Sequence, residues 1–272
     1  MPRLESLPQR EATFIEPMEC LAVSKLPEGP AWIYEIKLDG YRAVAINSKG
    51  QLSLVSRNRK SFNSQYPYII EALSDLPENT VVDGEVVALD DAGRPNFNLL
   101  QHSRSHASRI CYFVFDLLVH NNRDLTRLSY IQRCEIMVTL KFRSPRIRIT
   151  HHFETSAEEM ILAVRDQGLE GVVAKRKDSL YESGRRTGAW AKYRLNRGQE
   201  LVIGGYVPGP HGLDSIIVGY YRANELVYVA RVRNGFVPAS RRQVFEKLRH
   251  LTNPTCPFTN LPETHKGDGA KA

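Results

Sequence analysis

The chain has 272 residues, enough for one large domain or two ordinary ones, and its 42% hydrophobic and 25% charged residues give the balance of a globular protein. The formal net charge of +7, gathered in arginine clusters such as Arg57-Asn58-Arg59-Lys60 and Arg185-Arg186, favours a polyanionic partner, nucleic acid before an acidic small molecule. The longest apolar stretch, 110–119, is too short to cross a bilayer and is broken by Asp116, the N-terminus lacks the apolar segment of a secretory signal, and none of the four cysteines falls in a CxxC or zinc spacing, so reduced thiols in a cytoplasmic protein are expected.

Read as one strand, 35–42 places Glu35, Lys37 and Asp39 on one face and Ile36 and Leu38 on the other, toward a core. A lysine between two carboxylates on a half-buried strand suggests chemistry. The alternative is a surface ladder ending in an Asp39-Gly40 hairpin turn. A second strand follows at 51–55, after a turn at Gly50. Pro67 opens a helix with Ile69, Ile70, Leu73 and Leu76 on one face, and Pro77 ends it. A strand pair is expected over 80–89, with Asp83 and Glu85 on one face. A buried strand over 110–118 carries Phe115 beside Asp116, and a helix covers 128–140. Ser156 and Glu159 fit a capping box for a helix that buries Met160, Ile161 and Val164 and stops at Gly168. The runs 169–175 and 190–194 read as strands, the first entered through Glu170 and the second carrying Lys192 and Arg194 on one face.

The character changes near Arg197. Short β runs at 201–203, 215–221 and 225–232, punctuated by glycine and proline, precede one helix at 239–251 with Val244, Phe245, Leu248 and Leu251 at helical spacing. Residues 1–197 therefore read as a layered domain of mixed strands and helices, and 198–272 as the start of a small β-barrel with a polar tail, expected to be disordered from about 262. Asp124, Glu182 and the pair His151-His152 read as surface or loop residues.

Several segments place ionisable residues inside β-like apolar runs: Lys37 with its neighbours, Asp83-Gly84-Glu85, Phe115-Asp116, Glu170 and the pair Lys192/Arg194. Each alone has an ordinary structural reading as a turn, a solvated face or core packing. In this order they supply a strand lysine, two isolated glutamates, an aromatic ring and a terminal cation pair, which suit a polyanionic nucleotide. The order resembles the covalent nucleotidyltransferase superfamily of DNA ligases, RNA ligases and capping enzymes. Lys37-Leu38-Asp39-Gly40-Tyr41-Arg42 is similar to its KxDGxR motif, Ser56-Arg57-Asn58 to the next, Asp83-Gly84-Glu85 and Val114-Phe115-Asp116 to the third and its companion, Glu170-Gly171-Val172-Val173 to the fourth and 190–194 to the fifth. Bacterial ATP-dependent DNA ligases of the LigD type have similar flanks: Phe14 to Met18 before the first motif, EGVVAKR at Glu170 to Arg176, YxxGRRxxxW from Tyr181 to Trp190, Asn234-Gly235-Phe236, and Cys256-Pro257-Phe258.

That resemblance implies an α+β fold, an ATP-grasp-like nucleotidyltransferase (adenylation) domain followed by a partial OB-fold barrel. It implies that Lys37 attacks the α-phosphate of ATP to form lysyl-AMP, that AMP passes to the 5′-phosphate of a DNA nick, and that the 3′-hydroxyl then displaces AMP. By the same resemblance Glu35 reads the adenine edge, Phe115 stacks on its face, Ile36 belongs to the nucleotide-contacting set, Glu85 takes the ribose hydroxyls, Arg42 and Arg57 meet phosphates, and Lys192 and Arg194 hold the α-phosphate. Family members usually carry lysine where Arg194 stands. Glu170, with Asp39 as a second contact, is the expected site of Mg²⁺ or Mn²⁺. Nicked duplex DNA and double-strand-break repair proteins are the expected partners of a monomeric protein near the bacterial nucleoid. The second domain offers three strands where an OB barrel has five, and a basic motif near the barrel's end that orients the ATP pyrophosphate is not found, so self-adenylation is expected to be weakened. The alternatives are an RNA ligase or capping-type enzyme, and a nucleotide- and DNA-binding remnant without turnover.

Overall fold

The computed structural model describes residues 4–101, 107–195, 200–210 and 212–260. The chain divides into two compact units, Met1–Leu195 and Asn196–Ala272. The tail expected to be disordered and the composition change at Arg197 lie outside the described residues.

Among its described residues the first unit contains ten strands: β1 (Leu21–Ala22), β2 (Trp32–Ile36), β3 (Tyr41–Ser48), β4 (Gln51–Ser56), β5 (Thr80–Ala88), β6 (Ile110–His120), β7 (Arg123–Asp124), β8 (Ile147–Ile149), β9 (Gly171–Arg176) and β10 (Trp190–Arg194). Its helices are α1 (Pro67–Ala72), α2 (Phe97–Gln101), α3 (Tyr130–Met137) and α4 (Ala157–Asp166). A larger sheet runs β4-β3-β5-β6-β7 with β8 parallel to β6, and a smaller one runs β1-β10-β9-β2. The β3–β4 hairpin turns on Lys49-Gly50, both at positive φ, as a tight two-residue turn requires. Helix α1 begins at Pro67 and buries Ile69 and Ala72 against the larger sheet. Capping boxes start α3 (Ser129/Gln132) and α4 (Ser156/Glu159), and Gly168, at φ 71°, follows α4. Helix α4 packs Ala157, Met160 and Val164 onto the smaller sheet with Leu169 and Val172.

Three expectations are corrected. The segment 35–42 is not one strand. Strand β2 ends at Ile36, the Lys37 amide adds one more bond to the Gly171 carbonyl at 2.9 Å, and the chain then leaves the smaller sheet to enter the larger one at Tyr41. Lys37 therefore sits on a crossover between two sheets. Second, 80–89 is not a strand pair: β5 runs straight through Asp83-Gly84. Third, Asp124 is no surface residue. It is nearly buried, accepts from Arg10 at 3.2 Å and holds the Thr126 amide and hydroxyl at 3.0 and 2.6 Å.

Glycine explains the first two corrections. Gly40, Gly84 and Gly171 do not have positive φ, so none serves as a turn glycine. Each instead lets backbones touch. A Cβ at Gly40 would lie 2.1 Å from the Val86 carbonyl oxygen, one at Gly84 2.4 Å from that of Phe113, and one at Gly171 2.1 Å from that of Tyr193. The Asp-Gly and Glu-Gly pairs thus mark close backbone approaches that a side chain would pry apart.

In the second unit β11 (Val202–Val207), β12 (Ser215–Arg222) and β13 (Glu225–Val232) form one antiparallel sheet, and α5 (Pro238–Leu248) follows. Phe258 covers this sheet over Leu226, where Gly204 and Gly219 leave room for its ring. Among the described residues the sheet does not close into a barrel. Helix α5 half-buries Val244, Phe245 and Leu248, with Phe245 against Tyr206, but none of its residues is fully buried and Leu251, beyond its end, is exposed.

Gly171→Ala is expected to lower stability by about 1–3 kcal/mol, the scale of an overpacked contact, and to depress the melting temperature by several degrees. An unchanged melt would contradict the close approach described for β9 and β10.

Candidate active site

All eleven residues singled out in the sequence line one cleft of about 510 Å³ in the first unit: Glu35, Ile36, Lys37, Asp39, Arg42, Arg57, Glu85, Phe115, Glu170, Lys192 and Arg194. Both sheets contribute. Strands β2, β9 and β10 supply one wall, β3, β5 and β6 the other, and the crossover 37–40 joins them.

The Lys37 ammonium meets the Glu170 carboxylate and lies 3.5 Å from the Leu38 carbonyl oxygen. Glu170 also accepts from Arg194 Nε at 3.1 Å, so one carboxylate separates the two cations. Asp39 faces the same group. Burial lifts its carboxyl above the ordinary carboxylate range, and the charge of Glu170 adds to that, against the pull of Lys37 and Arg194. Two carboxylates that face the same cations suit a hard divalent cation whose remaining ligands are phosphate oxygens and water. No group of three or more metal-type side chains occurs among the described residues.

Deeper in the cleft, most charges are paired. Arg42 binds Asp83 in a fork, Nε to Oδ1 at 3.1 Å and Nη2 to Oδ2 at 2.6 Å. The Tyr181 hydroxyl donates to the same Asp83 oxygen at 2.6 Å and accepts from the Met18 amide at 3.0 Å. Asp83 is wholly buried beneath the cleft, whereas Glu85, two residues on, lines it. Burial pushes the Glu85 carboxyl up to about 8; Arg42 and Lys37 pull it down, and Asp83 and Glu170 push it further up. Glu35 is buried and pairs through Oε1 with Lys175 Nζ at 2.7 Å and with the Tyr130 hydroxyl. The Lys175 ammonium lies 4.7, 4.5 and 4.3 Å from the ring centroids of Phe115, Tyr130 and Trp190, a cation–π cage. Behind it Arg133, fully buried, forks onto Asp116 at 2.7 and 2.8 Å and donates to the Leu128 and Ser179 carbonyls. Among the described residues Arg57 and Lys192 line the cleft with no ion pair.

The sequence reading assigned no role to Lys175, Tyr130, Tyr181 or Arg133, although all four order the cleft. The signal for Lys175 was its place in an apolar run: β9 is buried on both faces, and a lysine there must have a counter-ion. Arg133 lies on a helix whose mixed surface hid it. His151 and His152 stay in a loop, and Glu182 accepts from the Thr187 hydroxyl at 2.6 Å.

Residues 17–194 match the family model for the ATP dependent DNA ligase domain, and 210–269 match the ATP dependent DNA ligase C terminal region. The multifunctional non-homologous end joining protein LigD of Mycolicibacterium smegmatis is 34% identical over 236 residues, 85% of this chain and 31% of that protein. The protein of that name in Pseudomonas aeruginosa is 32% identical over 92% of this chain and 31% of its own length. The chain therefore spans about a third of the length of these relatives. DNA ligase C1 of M. smegmatis is 32% identical over 87% of this chain and 73% of its own. Among solved structures, the ligase domain from M. tuberculosis LigD superposes with a TM-score of 0.59 at 29% identity, covering 94% of this chain and 85% of that one.

The state of Glu85 gives a pH test. Its folded value near 8 lies above the ordinary 4.5, so the folded protein holds an extra proton between them. The resulting stability is complete below pH 4.5 and is lost as pH rises through 8. Glu85→Gln removes that loss. Without nucleotide, the variant's melting temperature relative to wild type is expected to rise by roughly 2–6 °C between pH 6 and pH 9. A difference that does not vary with pH would contradict the assignment.

Proposed function

Since this chain belongs to the ATP-dependent DNA ligase family, we propose that it is a ligase catalytic core that takes AMP onto Lys37 and uses it to seal nicked duplex DNA. The observation that carries the reading is the place of Lys37. Its amine stands on the crossover between two sheets, at the cleft, against a carboxylate and beside two cations, Lys192 and Arg194. Nζ attacks the α-phosphorus of ATP and pyrophosphate leaves. The nick's 5′-phosphate oxygen then attacks the same phosphorus and restores the amine, and the 3′-hydroxyl finally displaces AMP.

In this reading Phe115 is the ring beneath adenine, Glu35 meets the base edge, the backbone beside Ile36 walls the base, and Glu85 accepts from ribose hydroxyls. Lys192 and Arg57 are, with Lys60, cleft cations without an ion pair among the described residues and so free to take phosphate. Arg194 reaches the α-phosphate only by letting go of Glu170. Asp83 occupies two nitrogens of Arg42, so Arg42 has Nη1 left for a phosphate and otherwise holds the floor. Glu170 and Asp39 would hold Mg²⁺ or Mn²⁺, which supplies charge neutralisation at the phosphates. The matched ligase models support DNA ligation over RNA ligation or capping. Because relatives are named for non-homologous end joining, double-strand-break repair is the proposed setting, with repair proteins as partners of a monomeric, cytoplasmic, nucleoid-associated protein. No helix among the described residues is long and apolar enough to cross a membrane.

The test is sealing of a nicked duplex with ATP and magnesium, beside a duplex whose 5′-phosphate already carries AMP. Wild type is expected to seal both. Lys37→Ala is expected to fail on the first and seal the second, since only the first needs the lysine. Equal sealing of the plain nick by Lys37→Ala would overturn the nucleophile, and failure of wild type on both substrates would overturn the ligase reading.

A further inference from the structure

The pair beneath the base pocket has a geometry that restricts what Glu35 can recognise. Both protein donors, Lys175 Nζ and the Tyr130 hydroxyl, converge on one carboxylate oxygen, Oε1. The other, Oε2, accepts no hydrogen bond among the described residues, and Glu35 lines the cleft. Lys175 is itself 2% exposed and has few alternatives. Its neighbours are Glu35, the Tyr130 hydroxyl at 3.1 Å, the Phe115 carbonyl at 3.4 Å and three aromatic faces, all of which favour a cation and hold it in place. Burial and the adjacent Glu35 raise the Tyr130 hydroxyl well above its ordinary range, so it remains a donor. Oε2 is thereby the one Glu35 oxygen left without a protein donor among the described residues.

We propose that Lys175 and Tyr130 are positioning residues that set purine selectivity, by fixing Glu35 as a hydrogen-bond acceptor opposite the substituent at purine C6. The inference rests on the adenylation reading of this cleft and deepens it. An amino group at C6, as in ATP, donates to Oε2. A keto oxygen at C6, as in inosine or guanosine triphosphate, presents lone pairs to a carboxylate that has no proton to give, and both groups are then desolvated without a bond. A site built to bond one substituent rejects the analogue lacking it far more strongly than shape alone does. A buried carboxylate deprived of its cation takes up a proton instead of staying charged. It then becomes a donor too, and a C6 keto group is accepted.

The experiment measures equilibrium binding of ATP and inosine triphosphate by titration calorimetry with metal chelated, so that no chemistry is required. Wild type, Lys175→Met, Lys175→Arg and Tyr130→Phe are compared, and melting curves check folding. Wild type is expected to prefer ATP by more than about tenfold. Lys175→Met is expected to bring the ratio to within about threefold, mostly through weaker ATP binding, and Lys175→Arg to restore it. Tyr130→Phe is expected to reduce the ratio by a smaller factor, and it carries the test if Lys175→Met does not fold. A ratio unchanged in the folded variants, with both nucleotides weakened alike, would show a merely structural role and overturn the proposal, as would a wild type without preference. The two readings fail differently. Lys37 labelled by AMP with an unchanged ratio defeats this inference alone. A lysine never labelled, in a protein whose ratio responds as expected, defeats the adenylation reading alone.

Discussion

Pairing of buried charge governs this cleft. Four acid–base contacts lie in or under it: Lys37 with Glu170, Arg42 with Asp83, Lys175 with Glu35 and Arg133 with Asp116. The last two pairs are almost wholly removed from water. An ion pair so placed adds little net stability over an apolar pair, but loss of one member strands the other at a cost of about 3–5 kcal/mol. The pairs therefore work as positional constraints. Each fixes a carboxylate or a cation of one segment by a group from another, and each joins elements distant in sequence: Arg133 ties α3 to β6, Lys175 ties β9 to β2, and Asp83 ties β5 to β3 and, through Tyr181, to the segment at Met18. Among the described residues the cleft cations Arg57, Lys60 and Lys192 have no such partner.

The glycines complement the charges. Backbone contact at Gly40, Gly84 and Gly171 sets how near the chain lies to its neighbouring strand within each sheet at the points where Lys37, Glu85 and Glu170 emerge. Such contacts have no slack, because the blocking atoms are carbonyl oxygens held in ladders. Lys37, Glu85 and Glu170 thus take their separation from main chain rather than from adaptable side-chain packing.

Much of this could be read from the residues. The lysine with its flanking acids, the glutamates in apolar runs and the cation pair at 190–194 all reached one cleft, and the capping signals at Ser156 and Gly168 marked helix α4 because those residues act through local backbone geometry. The errors share a cause. Alternation treats a strand as continuous, and nothing local in Lys37-Leu38-Asp39-Gly40 announces that the chain changes sheets there. Asp-Gly was weighed as a turn because its turn role is local, whereas the close approach that requires Gly84 involves Phe113, far along the chain. Lys175, Arg133 and Asp124 escaped for the same reason: each is fixed by a partner at long range, and the lone residue type gives only the demand for a partner, not its identity. In the second unit the apolar spacing of α5 matches a half-buried face, Val244, Phe245 and Leu248, with Phe245 edge-on to Tyr206.

The account turns on one covalent bond, between Lys37 Nζ and the phosphorus of AMP. The direct measurement is peptide mapping by mass spectrometry after incubation with ATP and magnesium. The prediction is a single acid-labile AMP adduct, confined to the peptide containing Lys37 and removed by added pyrophosphate, which reverses the transfer. An adduct on another residue, or none in a protein that still seals nicks with ATP, would contradict it.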